Sequence, residues 1–169
     1  MAILNSNAAI EFMSILSPTL DFNAGSIAKV PISKDHNYLE IVENSKKLVC
    51  QSKLIWDLSE LSVNFKVNKM FALRDEDGKC VSSFKEYVKE SEKCTGFLKS
   101  LEVANNSLIS SMYGLRDEID ADVPLTKITV DVNPYYRYGG MSSEKYVLRF
   151  QSDTSKELIS YAIGNMMGR

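Results

Sequence analysis

The chain has 169 residues, 44% hydrophobic and 25% charged, with a formal charge of −2 and a pI near 5.5. That size supports one domain, or two small ones, with a substantial core, and the mild acidity excludes a dedicated basic nucleic-acid-binding module while leaving room for one DNA-facing surface. No stretch is apolar enough to span a bilayer, and the opening MAILNSNAAIEF lacks the early positive charge and long apolar core of a secretory signal.

Taken in chain order, residues 7 to 16 place Ala8, Ala9, Phe12, Met13 and Leu16 at helical spacing, and Pro18 stops the pattern. In FNAGSIAKVPI, residues 22 to 32, Phe22, Ile27, Val30 and Ile32 predict a buried strand-like tail. Gly25 supplies its turn. Pro31 removes a backbone donor, which puts that strand at an edge or at its end. Residues 36 to 58 predict a long helix capped by Asp35. Val42, Val49 and Trp56 form one heptad row along it, and Ile41, Leu48 and Ile55 form another one residue earlier. Residues 59 to 80 are less regular and end in a turn at Asp77-Gly78.

A second long helix is predicted over about 83 to 115, opened by Ser83 and Glu86 at capping-box spacing. Phe84, Ser91, Leu98, Asn105 and Met112 occupy one heptad row, beside Val88, Thr95, Leu101, Leu108 and Leu115. A polar Asn105 in such a seam sets register at some cost in stability. Gly114 marks the helix end. The two patterns predict an antiparallel helical hairpin, each arm roughly 35–50 Å long at the rise of an α-helix. Val42, Val49, Trp56, Leu98, Leu101, Leu108 and Met112 are its expected seam. Beyond it, TKITVDV (126–132) alternates as a strand does. A tyrosine-rich loop, NPYYRYGG, follows. Leu158, Ile159, Ala162, Ile163 and Met166 then make a short apolar face in the last sixteen residues.

Few residues carry chemistry. Cys50, Cys80 and Cys94 match no zinc or redox spacing and suit a reducing compartment. His36 is the chain's one histidine, and a surface position near a helix start accounts for it. No catalytic and no metal-binding residue is expected. VDVNPYYRYG has the strand, Asn133, Pro134 and Tyr136 of the loop with which amino-methylating enzymes grip a flipped adenine. Tyr135 replaces the second proline of that loop, however, and no glycine-rich donor loop precedes it. A tyrosine-rich packing turn is the plainer reading. Lys85, Lys89 and Lys93 line one helix face, but Glu86 and Glu90 stand three residues before two of them. The residues best placed by sequence for phosphate contact are Lys29, Lys46, Lys47 and Arg137.

Four stretches taken together resemble one family. SPTLDFNAGSIAKVPI (17–32) is similar to the segment that closes a target-recognition domain and leads into a helical spacer. WDLSELSVNF (56–65), LISSMYGLRDEI (108–119), and NPYYRYG with ELISYAIGNMMGR (133–139 and 157–169) resemble the adenine-specific DNA methyltransferases of bacteriophage-exclusion (BREX) defence systems. Val63 stands where that pattern has a second tryptophan, and Asn165 where it usually has cysteine. The family's methyl-donor loop and Asn-Pro-Pro-Tyr loop are absent, so the resemblance implies a non-catalytic piece from downstream of a methyltransferase core.

The expected fold is mostly α with minor β: a helical hairpin spacer flanked by small α/β pieces of recognition domains. Residues 1–33 would end one such domain, 34–118 form the spacer, and 119–169 begin the next. The resemblance implies no cofactor here, with S-adenosylmethionine held by the parent's upstream domain. It implies weak contact with double-stranded DNA through that parent, contact with other defence proteins as the alternative, no membrane partner, and a cytoplasmic location.

Overall fold

A computed structural model describes residues 2–17, 23–33, 38–74, 78–139 and 142–168. Helix dominates, and no strand occurs among the described residues. The helices are α1 (Asn7–Leu16), α2 (Ala24–Ile27), α3 (Leu39–Trp56), α4 (Lys69–Ala72), α5 (Cys80–Met112), α6 (Pro134–Arg137) and α7 (Ser143–Met166). Two compact units divide the chain, one of residues 1–49 and 99–123, the other of 50–98 and 124–169. α3 and α5 each give one part to each unit.

In the first unit, Ser6 caps α1 by accepting from the Ala9 amide at 3.2 Å. Ala8 of α1, Ile41 near the start of α3, and Ile109 and Met112 near the end of α5 form the buried cluster. Phe12 and Tyr113 pack edge to face beside it, 5.1 Å between ring centres. Asn106 ties the periphery together: its Oδ1 accepts from the Asn7 amide at 3.1 Å and its Nδ2 donates to the Ala121 carbonyl at 3.2 Å. α5 ends at Met112, and Gly114 two residues on, with a φ of +69°, reverses the chain. The amides of Gly114 and Leu115 then donate to the carbonyls of Ser111 (3.1 Å) and Ser110 (2.8 Å), closing the last turn.

In the second unit, α7 buries Tyr146, Phe150, Thr154 and Tyr161, a stripe at helical spacing. Phe150 stacks on Tyr87 at 5.5 Å and meets Phe84 at 6.2 Å, both from α5. Tyr161 takes Phe65 (5.9 Å) and Phe71 (5.7 Å). Asn68 caps α4, accepting from the Met70 amide at 3.0 Å. Gln51 of α3 donates to Cys94 Sγ of α5 at 3.5 Å.

Several expectations need correction. The strand expected at 22–32 is a one-turn helix over its described residues, because Asn23 Oδ1 accepts from the Ser26 amide at 2.8 Å and nucleates α2. Gly25 lies inside that turn and its φ is not positive. Residues 126–132 form no ladder. Their amides are used locally, Val130 donating to Ile128 O and Asn133 to Val130 O, both at 2.9 Å. Ile128, Val130 and Val132 still bury alternately, so the period-2 signal was real and only the pairing partner was missing. α5 begins before Ser83, whose hydroxyl bonds back to the Lys79 carbonyl at 3.4 Å, so no capping box forms there.

The seam residues Val42, Val49 and Trp56 are 44%, 70% and 49% exposed, whereas Ile41 and Ile55 are buried. On α5 the expected row Phe84, Ser91, Leu98, Asn105 and Met112 is buried throughout, as is Leu101, with Leu108 half-buried. The apolar face expected near the end of α7 points outward: Ile159, Ile163 and Met166 are 59%, 46% and 78% exposed. Asp35, His36, Pro18, Phe22 and Asp77 lie outside the described residues.

Candidate functional site

The tyrosine-rich loop is organised by Asn133, which is completely buried. Its Nδ2 donates to the carbonyls of Leu125 (2.7 Å) and Ile128 (2.8 Å), and its Oδ1 accepts from the Tyr135 amide at 3.1 Å, capping α6. Both ends of the amide are bonded inside the fold and wholly buried, so neither is presented to an adenine amino group. Replacing Asn133 with alanine should lower stability by about 2–3 kcal/mol. A thermal melt followed by circular dichroism should show a fall of roughly 4–12 °C for a chain of this size.

Past Asn133, α6 presents Arg137, whose Nη2 reaches Glu157 Oε1 of α7 at 2.8 Å. Burial opposes the Arg137 charge, but the Glu157 hydrogen bond and charge outweigh it and hold the guanidinium above its usual pKa. Tyr138 donates to Asp153 Oδ2 at 3.1 Å. Its pKa is pushed up to about 12, by burial first, then by that hydrogen bond, against the pull of Arg137. Burial raises the Asp153 pKa, but the hydrogen bonds from Tyr138 and Lys156 and the nearby Arg149 bring it below the carboxylate norm.

Arg137 and Glu157 border a cavity of about 340 Å³ in the second unit. Leu58, Glu60 and Leu61 come from the turn after α3, Tyr87 from α5, Asp131 and Val132 from the segment before α6, Arg137 from α6, and Glu157 and Ser160 from α7. Ser160 Oγ donates to Glu60 Oε2 at 3.0 Å. Tyr87 is only 7% exposed, and its hydroxyl makes no hydrogen bond among the described residues. Burial raises its pKa well above the phenol norm, helped by Glu157 and Asp131 and opposed by Arg137. Three of the stretches that carry the family resemblance (56–65, 133–139 and 157–169) thus meet at one cavity. Sequence reading missed Glu60, Tyr87, Asp131 and Glu157, because each is unremarkable in its own stretch and the grouping arises only in space.

Lys29, Lys46 and Lys47 are exposed in the first unit and make no ion pair among the described residues. Arg137 is half-buried in the second unit and committed to Glu157. On α5, Lys89 pairs locally with Glu86 at 3.5 Å, but Glu90 reaches across to Lys69 of α4 at 2.7 Å. All three cysteines are free thiols. Among the described residues no group of three or more His, Cys, Asp or Glu side chains is arranged to hold a metal, and no helix is long and apolar enough to cross a membrane.

The helical chain with this family-patterned cavity is similar along its whole length to a segment of adenine-specific methyltransferases. It is 33% identical over 170 residues to the adenine-specific methyltransferase BrxX of Escherichia coli O9:H4 (strain HS), a match covering 100% of this chain and 13% of the relative. To the adenine-specific methyltransferase PglX of Lacticaseibacillus casei (strain Zhang) it is 29% identical over 148 residues, 82% of this chain and 12% of the relative. The likeness to BREX methyltransferases read from the four sequence stretches is thereby shown. No protein-family model matches the chain.

Proposed function

We propose that the chain is a non-catalytic segment of an adenine-specific (N6) DNA methyltransferase used in phage defence, and that it spaces and supports DNA target recognition. The observation that carries this reading is the whole-chain match to about an eighth of a much longer methyltransferase. In such a parent, methyl transfer from S-adenosylmethionine belongs to an upstream domain, and residues 34–118 act as the spacer between the recognition pieces at 1–33 and 119–169. The 33 residues of α5 support a spacing role, since one helix of that length measures about 50 Å. Within the first unit the start of α3 packs on the end of α5, Ile41 with Ile109 and Met112, and within the second unit Gln51 reaches Cys94. Fixed spacing matters because base-reading elements must fall at set groove positions.

Lys29, Lys46 and Lys47 are the phosphate contacts in this proposal. Fluorescence anisotropy with duplex DNA should show weak binding that falls as salt rises from about 50 to 200 mM. Changing Lys46 and Lys47 together to glutamate should flatten the log–log salt slope by about 0.9 for each phosphate no longer neutralised. Absence of binding at low salt would overturn DNA support. A second reading, a scaffold that docks other defence proteins without touching DNA, is favoured by the outward Ile159, Ile163 and Met166 of α7.

A further inference from the structure

We propose that the outward face of α7 docks one amphipathic helix of a protein partner, apolar along its contact stripe and edged with carboxylates. This deepens the protein-docking reading above. It is independent of the DNA contacts, since α7 lies in the second unit and Lys29, Lys46 and Lys47 in the first. Leu148, Ser152, Ser155, Ile159, Ala162 and Met166 recur at alternating spacings of four and three, as in the seam between paired helices, and all six are exposed. The row runs about 27 Å along the helix and carries no charge, where a solvated face is ordinarily charged. Ser155 turns its hydroxyl back to the Gln151 carbonyl at 2.8 Å, so it presents small bulk rather than a free polar group. Tyr146, Phe150, Thr154 and Tyr161 anchor the opposite side of the helix in the unit, which keeps the row outside.

Charge selects the occupant. Lys145, Arg149 and Lys156 stand along one edge of the row, all exposed. Arg149 and Lys156 share a single carboxylate, Asp153, at 3.3 Å each, and that carboxylate also accepts from Tyr138. Lys145 makes no ion pair among the described residues, and Glu157 is spent on Arg137 at 2.8 Å. The edge therefore keeps a positive charge that a carboxylate-edged helix would neutralise. Past Lys156 the same edge continues as Ile163 and Met167, both exposed, which widens the apolar contact over the last turns. A second copy of the chain fits worse. Set antiparallel, it brings the basic edge against itself; set parallel, it offers that edge the neutral Gln151, Leu158 and Asn165. A phosphate backbone would meet the cations but leave Leu148, Ile159 and Met166 facing water.

The test is fluorescence anisotropy of the 169-residue chain with a labelled three-heptad peptide that has leucine at its seam positions and glutamate along both edges. A scramble of the same composition and a version with lysine edges serve as controls. Saturable binding of the glutamate-edged peptide is expected, about tenfold or more tighter than that of either control. Ile159→Glu should weaken it about tenfold, and Lys156→Glu about fivefold while tightening the lysine-edged control. Both side chains are exposed, so circular dichroism should show each variant folded like the unsubstituted chain. Peptide binding that persists where duplex DNA does not bind supports the docking face; DNA binding without peptide binding overturns the docking face alone. Equal binding of the scramble, affinity unchanged in Ile159→Glu, self-association of the chain that Ile159→Glu abolishes, or capture of the chain by phosphatidylglycerol vesicles would also overturn it.

Discussion

Truncating Phe150 to alanine is expected to destabilise the second unit by about 3–5 kcal/mol, the largest effect of any single change there. Phe150 is 2% exposed and stands between Tyr87 and Phe84, so its removal leaves a void bounded by two rings that α5 holds in place. Both rings project from one stretch of the same helix, which limits how far the site can collapse. Most of the cavity cost should therefore remain. Urea unfolding followed by tyrosine fluorescence or near-UV circular dichroism should show the midpoint falling with little change in slope. Phe150→Leu keeps most of the volume and should lose less than half as much. A stability within about 0.5 kcal/mol of the unsubstituted chain for Phe150→Ala would mean that the aromatic stack is not the centre of this unit.

In the first unit, Ile109→Ala should cost about 3–4 kcal/mol, and Val49→Ala less than about 0.5 kcal/mol. Ile109 is completely buried in the cluster with Ala8, Ile41 and Met112, whereas Val49 is 70% exposed. Ile41→Ala set beside Val49→Ala discriminates between two heptad rows on α3 that lie one residue, about 100° of helix rotation, apart. Ile41→Ala should follow Ile109→Ala. Equal losses for Ile109→Ala and Val49→Ala in parallel urea titrations would restore the valine row as the packed one.

That choice of row shows where the sequence was legible and where it was not. On α5 the buried row was readable, because Phe84, Leu98 and Met112 outweigh the polar residues between them. On α3 the inward stripe is Ile41, Asn44 and Ile55, which are buried, with Leu48 and Gln51 half-buried, and its polar members disguise it. Asn44 is buried and Gln51 is turned toward Cys94, whereas the wholly apolar Val42, Val49 and Trp56 face outward. The helix ends at Leu16 and just before Gly114 followed from local chemistry, since Gly114 needs a positive φ that other residues resist. The two strand expectations failed for a non-local reason. Alternating burial at Ile128, Val130 and Val132 was legible, but a strand exists only if another one pairs with it, and that pairing is not written in the segment itself. The cavity was legible only as separate stretches. Nothing in the spacing of Glu60, Tyr87, Asp131 and Glu157 brings them together, and Asn133, which has the look of a ligand-gripping residue in sequence, is the internal tie of its loop.

The first unit is built from two pieces of chain with residues 50–98 threaded between them. During synthesis Ile41 leaves the ribosome about 70 residues ahead of Ile109, the neighbour that will cover it. At the usual 5–20 residues per second, α1 and the start of α3 wait about 3–14 s with Ala8 and Ile41 uncovered. That interval is when the nascent polypeptide is most exposed to chaperone capture or off-pathway association. Slowing translation after residue 56 would lengthen it, and speeding translation through 57–109 would shorten it.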